Sequence, residues 1–433
     1  MIVPSIDIQE GRAVQLRGGK FDTLDLGDPL ALADRYARVG EIAVVDLDAA
    51  RGRGNNADLV EEMARRWPCR IGGGIRTRET ALRFLDAGAR ALMIGTRATP
   101  DFLGEFPKER LIAALDIRGS EIFDEGWTRA TGKRLDERMA ELADYVGGFL
   151  VTFIENEGGL GGIDVEAAAA IIEKARGRRV TFAGGAAGPE EIAALDRRGA
   201  DVQAGTAIAL GKLALGAAFA APLVSDREDG YWPTIVADEG GRSLGLVWSD
   251  LESLSLAIEC GQGVYKSRKR GIWIKGRESG SVQDLVRVEV DCDRDALRFI
   301  VRQKGSGFCH LGTRSCFGGR KGLDLLEETV ERRMETAPEG SYTRRLLDNA
   351  SFLESKLREE AAELARARER DHIVSEAADL MYFALVKLVS SGASLADVEA
   401  ELDRRSLRLT RRGGDAKAAY AKDSREGSWA GLH

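Results

Sequence analysis

The stretch IGGGIRTRETALRFLDAGARALMIGT, residues 71–96, returns as FAGGAAGPEEIAALDRRGADVQAGT, residues 182–206. Gly73, Gly74, Gly88 and Gly95 are answered by Gly184, Gly185, Gly199 and Gly205. Each copy reads as an apolar strand, a Gly-Gly turn, an amphipathic helix and a second short strand closing on Gly-Thr. IDIQEG at Ile6 is likewise echoed by LDIRG at Leu115, and the runs IAVVDLD, ALMIG and LIAALDI alternate with alanine-rich helical segments. Alternation of this kind implies parallel βα units. A two-fold repeat over about 220 residues selects a (β/α)8 TIM barrel built from two halves, because a doubly wound sheet has no reason to repeat.

Beyond Leu223 the texture changes. Turn formers and charge from Pro222 to Gly230 mark a linker. Strand-like runs (TIVADE, RSLGLVW, GIWIKG, LVRVEVDCD) then dominate to Phe317, and from Leu323 onward apolar residues recur at three- and four-residue steps. The first such set is Leu346, Ala350, Leu353, Leu357, Ala361 and Leu364; the second is Ile373, Ala377, Leu380, Ala384 and Leu388. The chain is therefore multidomain: a barrel over 1–223, a β-rich unit over 225–318, an all-α bundle over 320–415 and a mobile polar tail over 416–433.

With 433 residues and a net charge of −7, the chain lacks the basic footprint of a nucleic-acid binder. No apolar run is long enough for a signal peptide or membrane span. Five unevenly spread cysteines read as intracellular thiols rather than a disulfide frame, which places the protein in the cytoplasm. The 51 glycines, about 12% against a usual ~7%, point to tight turns and close backbone approaches to ligands.

Asp7 and Asp116 end apolar strands at repeat-related positions, on the side where barrels place their active sites. A lone aspartate there is as well read as a turn cap. Two in equivalent places favour an acid–base pair. Gly73, Gly74, Gly95 and Thr96 in one half, with Gly184, Gly185, Gly205 and Thr206 in the other, offer backbone N–H groups to two phosphates. A ligand with a phosphate at each end follows.

These residues carry a resemblance. VPSIDIQEGRAVQLRGG, VVDLDAARGRGNN, IGGGIR, IGT and ALDIRG…GW resemble phosphoribosylformimino-5-aminoimidazole carboxamide ribotide isomerase across residues 1–223. The resemblance implies an Amadori rearrangement of a doubly phosphorylated substrate, with Asp7 as general base and Asp116 as general acid. After the fifth strand that family shows T-D/E-I-x-x-D-G-T, whereas this chain reads Thr152-Phe-Ile-Glu-Asn-Glu157-Gly158-Gly159. The departure sets an active isomerase against a non-catalytic scaffold barrel.

In the second unit Cys292, Cys309 and Cys316 are not spaced as a zinc finger, and three buried structural thiols are one reading of them. Cys292, however, lies inside Asp291-Cys-Asp293-Arg-Asp295, a charge density that core packing does not explain. Three thiolates suit a zinc ion with one open position. Asp291, Asp293 and Asp295 are hard donors for a magnesium-like ion and, on an extended strand, project opposite Cys292. His310 beside Cys309 is a candidate base or proton shuttle. Ser267, Arg268, Lys275 and Gly276 suit a phosphoribosyl group, although a solvated basic hairpin looks similar.

YKSRKR, WIKGRESG, DCDRDAL, GFCH and SCF resemble phosphoribosyl-AMP cyclohydrolase over residues 225–317. The resemblance implies zinc-dependent hydrolytic opening of an adenine ring and a homodimer whose zinc ligands come from both subunits.

In the third unit Glu359, Glu360 and Glu363 form E-E-x-x-E, and Glu376 and Asp379 form E-x-x-D. Acidic helices mostly face solvent. Here the second set interrupts the apolar run EAADLMYFAL, where unpaired carboxylates are costly, so the pattern favours Mg2+ held against a pyrophosphate. PEGSYTRRLL and Lys356 ahead of these carboxylates complete a resemblance to phosphoribosyl-ATP pyrophosphohydrolase over residues 323–412. The joined region 225–420 resembles the corresponding part of the fungal multifunctional histidine enzyme. Together the resemblances imply phosphoribosylated nucleotide substrates and three consecutive biosynthetic steps, encoded in reverse order.

Overall fold

A computed structural model describes residues 1–17, 20–124, 127, 129–269 and 271–410. Gly18, Gly19, Gly126, Arg270, residues 411–415 and the expected tail over 416–433 lie outside these described residues.

Eight parallel strands form the barrel: Ile2–Gln9, Ile42–Asp46, Cys69–Gly72, Ala91–Ile94, Leu111–Arg118, Gly148–Phe153, Arg179–Ala183 and Asp201–Ala204. Each pairs with the next, and the eighth returns to the first through Ile2↔Val202 and Pro4↔Ala204, which closes the ring. Alternation decides the two faces. Along the fifth strand Leu111, Ala113, Leu115 and Ile117 are buried against the surrounding helices, while Asp116 takes the other face. Val3, Ala43, Met93, Leu150 and Ala183 fill a small inner layer.

Below that layer polar groups seal the barrel floor. Arg70 donates to Glu41 at 2.6 Å, Thr181 at 2.7 Å and Asp201 at 3.2 Å. Burial alone would raise the Asp201 carboxyl, but the Arg179 hydrogen bond, the N-terminal ammonium and Arg70 hold it well below its usual value.

The sequence repeat has a steric cause. Gly73 (φ +92°) lies on the backbone of Asp46, and a Cβ there would stand 2.2 Å from the Asp46 carbonyl oxygen. Gly184 (φ +84°) meets the Phe153 carbonyl oxygen at 2.5 Å in the same way. Both halves also insert a hairpin after their first strand, Arg12–Arg17 with Lys20–Gly27 and Glu121–Asp124 with Arg129–Arg134.

The second unit is a six-stranded sheet in the order Gly271–Ile274, Val264–Ser267, Ser243–Ser249, Trp232–Ala237, Leu297–Gln303, Gln283–Val290, with the helix Leu251–Cys260 packed against it. One expectation needs correction. LVRVEVDCD is strand only as far as Val290; residues 291–296 form a turn in which Arg294 has φ +69° and Asp291 Oδ1 accepts from the backbone N–H of Asp295 and Ala296. The strand alternation assumed for Asp291–Asp295 therefore does not exist. The expected linker over 222–230 carries neither helix nor strand, and the barrel and sheet units that it joins share one core. Arg38 donates to the Ile258 carbonyl at 2.9 Å, Arg294 meets Asp196 at 2.6 Å, and Gly216 lies so near Ser255 that a Cβ would come within 2.5 Å of its Cα.

The third unit comprises helices Leu323–Thr336, Tyr342–Asp348, Ala350–Arg366, Arg370–Ser390 and Leu395–Ser406 around Val330, Leu346, Leu353, Phe383, Val386 and Val389. In the long helix the buried face is thus not the expected Ile373–Leu388 stripe, and Ile373 is exposed. LMYFALVKLV is apolar on nearly every side, so its periodicity singles out no face. Past the last helix the chain returns to the barrel. Arg110 donates to the Leu407 carbonyl at 2.7 Å, and Asp86 Oδ1 accepts from the N–H of Leu409 at 2.8 Å and Thr410 at 3.1 Å. No helix among the described residues is long and apolar enough to cross a membrane.

Candidate functional sites

Asp7 and Asp116 reach the barrel mouth from the C-terminal ends of the first and fifth strands. Burial raises the Asp7 carboxyl to about 7, against the opposing charge of Arg51. Burial also raises Asp116, while hydrogen bonds from Thr152 and Trp127 pull it back. Glu157, which follows the short turn Ile154–Asn156, is raised to about 7 by burial and then by the charges of Asp7 and Asp116. Three carboxylates therefore share the mouth, two of them poised to exchange protons near neutral pH. The substitution at Glu157 keeps a carboxyl within electrostatic reach of both aspartates.

The glycine cradles flank this group. At the second one the Thr206 hydroxyl is buried with no hydrogen-bond partner among the described residues, an exception to the rule that buried polar atoms are paired. Gly205 approaches Ser5 and Gln15 so closely that a Cβ would lie 2.6 Å from Ser5 Oγ. The following helix contributes less than its position suggests, because Glu191 Oε1 already accepts from the N–H of Ala187 and Gly188. Its Oε2 accepts from Ile163 at 2.7 Å, tying the Glu157 loop to the cradle. Gly95 and Thr96 of the first cradle are exposed. Thr152, Trp127 and Glu191 were not legible as site residues; Glu191 carries the signal of a first-turn acid.

In the second unit the turn over 308–316 is closed by Phe308 N–H to the Arg314 carbonyl and Cys309 N–H to the Thr313 carbonyl, both at 3.0 Å. It sets Cys309 and Cys316 against each other. Backbone donation from Leu311 lowers the Cys309 thiol, followed by Thr313 and Cys316, whereas burial and Cys309 raise Cys316. Cys292 stands elsewhere, its Sγ 3.9 Å from Asp293 Oδ1. Among the described residues no metal-sized donor group contains a cysteine, so one chain by itself does not assemble the expected three-sulfur set. His310 Nδ1 lies 4.0 Å from Cys309 Sγ. Despite the corrected backbone, Asp291, Asp293 and Asp295 each place an oxygen within 4.8 Å of the others.

Ser267 ends its strand, and Arg268 lies 5.7 Å over Trp248. Gly276 (φ +82°) sits against Ser281, where a Cβ would meet the backbone at 2.2 Å. Lys275, by contrast, is buried.

In the helical unit Glu360 joins two donor groups, one with Glu359 and Glu363, the other with Glu376 and Asp379. It is only 6% exposed. Lys356 Nζ lies 2.8 Å from both Glu359 Oε1 and Glu360 Oε1 and 5.3 Å over the Phe383 ring. His372, one turn before Glu376, meets it at 3.0 Å and escaped the sequence reading. Asp379 is exposed and the Glu376 side chain is 13% exposed, so the burial expected of the second carboxylate pair is only partial and confined to Glu376.

A two-half barrel with a carboxylate mouth is joined to a thiol- and aspartate-bearing sheet and a carboxylate helix bundle, the architecture of a multidomain protein with three separate clusters of chemically active side chains. Family models match in that order: histidine biosynthesis protein at 1–214, phosphoribosyl-AMP cyclohydrolase at 245–318 and phosphoribosyl-ATP pyrophosphohydrolase at 323–406. The chain belongs to the histidine-biosynthesis family that carries these cyclohydrolase and pyrophosphohydrolase domains. It is 39% identical over 196 residues to a histidine biosynthesis bifunctional protein HisIE of Pyrococcus furiosus, covering 42% of this chain and 93% of that protein. A histidine biosynthesis trifunctional protein of Neurospora crassa is 50% identical over 212 residues, 49% of this chain and 24% of the relative. The bifunctional protein his7 of Schizosaccharomyces pombe is 51% identical over 196 residues, 45% of this chain and 47% of the relative. The chain thus spans between about a quarter and a half of the length of these fungal relatives.

Proposed function

We propose that the chain catalyses three consecutive steps: phosphoribosyl-ATP loses pyrophosphate at the helical unit, the adenine ring of phosphoribosyl-AMP opens at the cysteine-bearing sheet, and the barrel isomerises the product. Residues 1–223, 225–318 and 320–415 are the corresponding domains. The observation that carries the reading is the barrel mouth, where three coupled carboxylates lie among repeated glycine cradles suited to a ligand with two phosphates.

In the isomerisation Asp116 protonates the ribose ring oxygen as the ring opens, and the donors Thr152 and Trp127 stabilise the carboxylate left behind. Asp7 then takes the proton from the neighbouring carbon. Tautomerisation of the resulting enol gives the aminoketone. The Gly73–Gly74/Gly95–Thr96 and Gly184–Gly185/Gly205–Thr206 cradles hold the two phosphates.

Cys309 and Cys316 have the donor chemistry for zinc, and Cys292 completes the set from a second copy of the chain. A bound zinc ion lowers the pKa of a coordinated water and so supplies a nucleophile near neutral pH. Leu311 and Phe317, 76% and 70% exposed on either side of the cysteine pair, support a homodimer interface there. His310 moves the proton between the attacking water and the opening ring. Ser267, Arg268 and Gly276 bind the phosphoribosyl group. Asp291, Asp293 and Asp295 fit a magnesium-like ion by their shared approach.

Glu359, Glu360, Glu363, Glu376 and Asp379 suit Mg2+, which would offset charge on the leaving pyrophosphate, while Lys356 faces the same group. The reading includes a cytoplasmic location, in keeping with five cysteines spread too unevenly for a disulfide frame. The second reading, a scaffold barrel beside two hydrolases, is favoured by Glu157 and Gly159 standing where the isomerase pattern has aspartate and threonine.

Incubation with phosphoribosyl-ATP, Mg2+ and Zn2+ separates the two. The rearranged ribulosyl product supports the three-step reading; accumulation of the ring-opened compound alone supports the scaffold.

A further inference from the structure

Between the barrel and the end of the helical unit lies a cavity of about 480 Å3. Its barrel wall carries Glu61 and Arg65 on the helix Ala57–Arg66 and Arg83 and Asp86 on the helix Arg78–Ala87, while its other wall carries Arg404 and Arg408. Four arginines thus face two carboxylates, on a chain whose net charge is −7. Both carboxylates are already engaged. Glu61 meets Arg65 and, at 2.6 Å, Arg83, and Asp86 accepts from Leu409 and Thr410. Arg404 turns to Glu401 at 2.9 Å. Arg408 is left over: no ion pair reaches its guanidinium among the described residues, and its Nε is buried with no hydrogen-bond partner.

A buried guanidinium N–H without an acceptor is costly, and more so for a charged group than for a neutral one. The neighbourhood offers no relief. Arg110, which holds the Leu407 carbonyl next to Arg408, gives its other donors to the Ala89 and Arg90 carbonyls and meets no carboxylate among the described residues. The chemistry asks for an anionic acceptor in the cavity, and a guanidinium fork matches the paired oxygens of carboxylate and phosphate groups. Two positive charges in excess favour a polyanion over a single carboxylate. Ala87 is the one apolar side chain in the lining, so a nucleobase or acyl chain has nothing to lie on.

We propose that this seam binds a small, multiply charged oxyanion of the phosphate class, such as pyrophosphate, with Arg408 as its principal contact and Arg404, Arg65 and Arg83 supplying charge around it. Bound there, the anion joins the end of the helical unit to the first half-barrel and reinforces the hold that Asp86 and Arg110 already have on residues 407–410. None of the glycine cradles or helical carboxylates lines the cavity, so the site does not depend on the three-step reading.

Amide exchange over residues 395–410 is followed in the full chain, free of divalent metal, as pyrophosphate replaces chloride at constant ionic strength and pH. A ligand that binds only the docked segment stabilises it by RT ln(1 + [L]/Kd), so at about ten times Kd opening should become about elevenfold rarer. R408M should lose this response. R408K, which keeps the charge without the fork, should weaken pyrophosphate by about tenfold, the scale of one charge-assisted hydrogen bond.

Exchange that ignores pyrophosphate in the unmodified protein would overturn the proposal and leave Arg408 a structural residue. An equal response in R408M would overturn it as well, by placing the anion elsewhere. If R408M leaves the segment undocked even without pyrophosphate, R408K decides: weakened pyrophosphate supports the site, and undiminished pyrophosphate overturns it.

Discussion

Thr152 stands directly across from Asp116 in the parallel register of the fifth and sixth barrel strands and hydrogen-bonds its carboxyl. A threonine at this point does more than fill a strand. Its hydroxyl opposes the upward pull of burial and keeps Asp116 nearer the range in which it can give up a proton. Thr152→Val keeps the shape and removes the donor. The Asp116 carboxyl should then rise further, the alkaline limb of the isomerase pH–rate profile should move to higher pH, and kcat should fall by less than the roughly 100- to 10,000-fold that a positioned acid–base group contributes. An unchanged profile would detach Thr152 from the chemistry.

Glu157 gives the mouth a measurable pH signature. Its carboxyl is raised from 4.5 to about 7 in the folded barrel. The folded state therefore binds more protons than the unfolded one between those values, and stability falls as pH rises through that window. Glu157→Gln abolishes the penalty. Its thermal midpoint should exceed that of the unmodified protein at pH 8 and converge with it near pH 4, as read by unfolding scans at both pH values.

How much of this was visible in the residues alone depends on which force sets each feature. Gly73, Gly74, Gly184 and Gly185 announced the barrel because the backbone of the preceding turn leaves no room for a Cβ, a steric demand that only one residue type meets. The Glu360 pairings were legible because helical spacing fixes which carboxylates meet. The Asp291–Asp295 segment was misread because alternation holds only while a strand continues, and the positive φ of Arg294 ends it. Thr152 and Glu191 were hidden for another reason. Their partners, Asp116 and Ile163, are distant in the chain or on a neighbouring loop, and register cannot be read from one strand.

Separate sites imply separable losses. Cys309→Ala should abolish ring opening and zinc retention while pyrophosphate release continues; Glu360→Gln should do the reverse. Glu360 is shared by both donor groups of the helical unit, so its loss should lower pyrophosphate release by at least about 100-fold if metal-assisted charge stabilisation of several kcal/mol depends on it. Product analysis by chromatography distinguishes the cases. Joint loss of both activities in a folded variant would mean that the two units act as one site.

The return of the chain to the barrel makes a last prediction. Asp86 accepts from Leu409 and Thr410, including the Thr410 hydroxyl, and Arg110 holds the Leu407 carbonyl, so the end of the helical unit is latched to the first half-barrel. Leu409 also packs on the shared core of the barrel and sheet units. Asp86→Ala removes three hydrogen bonds, one acceptor charged, for about 2 kcal/mol of local stability. Opening of residues 395–410 should become roughly 30-fold more frequent, seen as faster amide exchange there, with barrel strands unaffected. Because none of the carboxylates of the helical unit takes part in the latch, pyrophosphate release should persist at near-normal kcat. Exchange that stays slow in Asp86→Ala would show that the Arg110 contact and Leu409 packing hold the segment without Asp86.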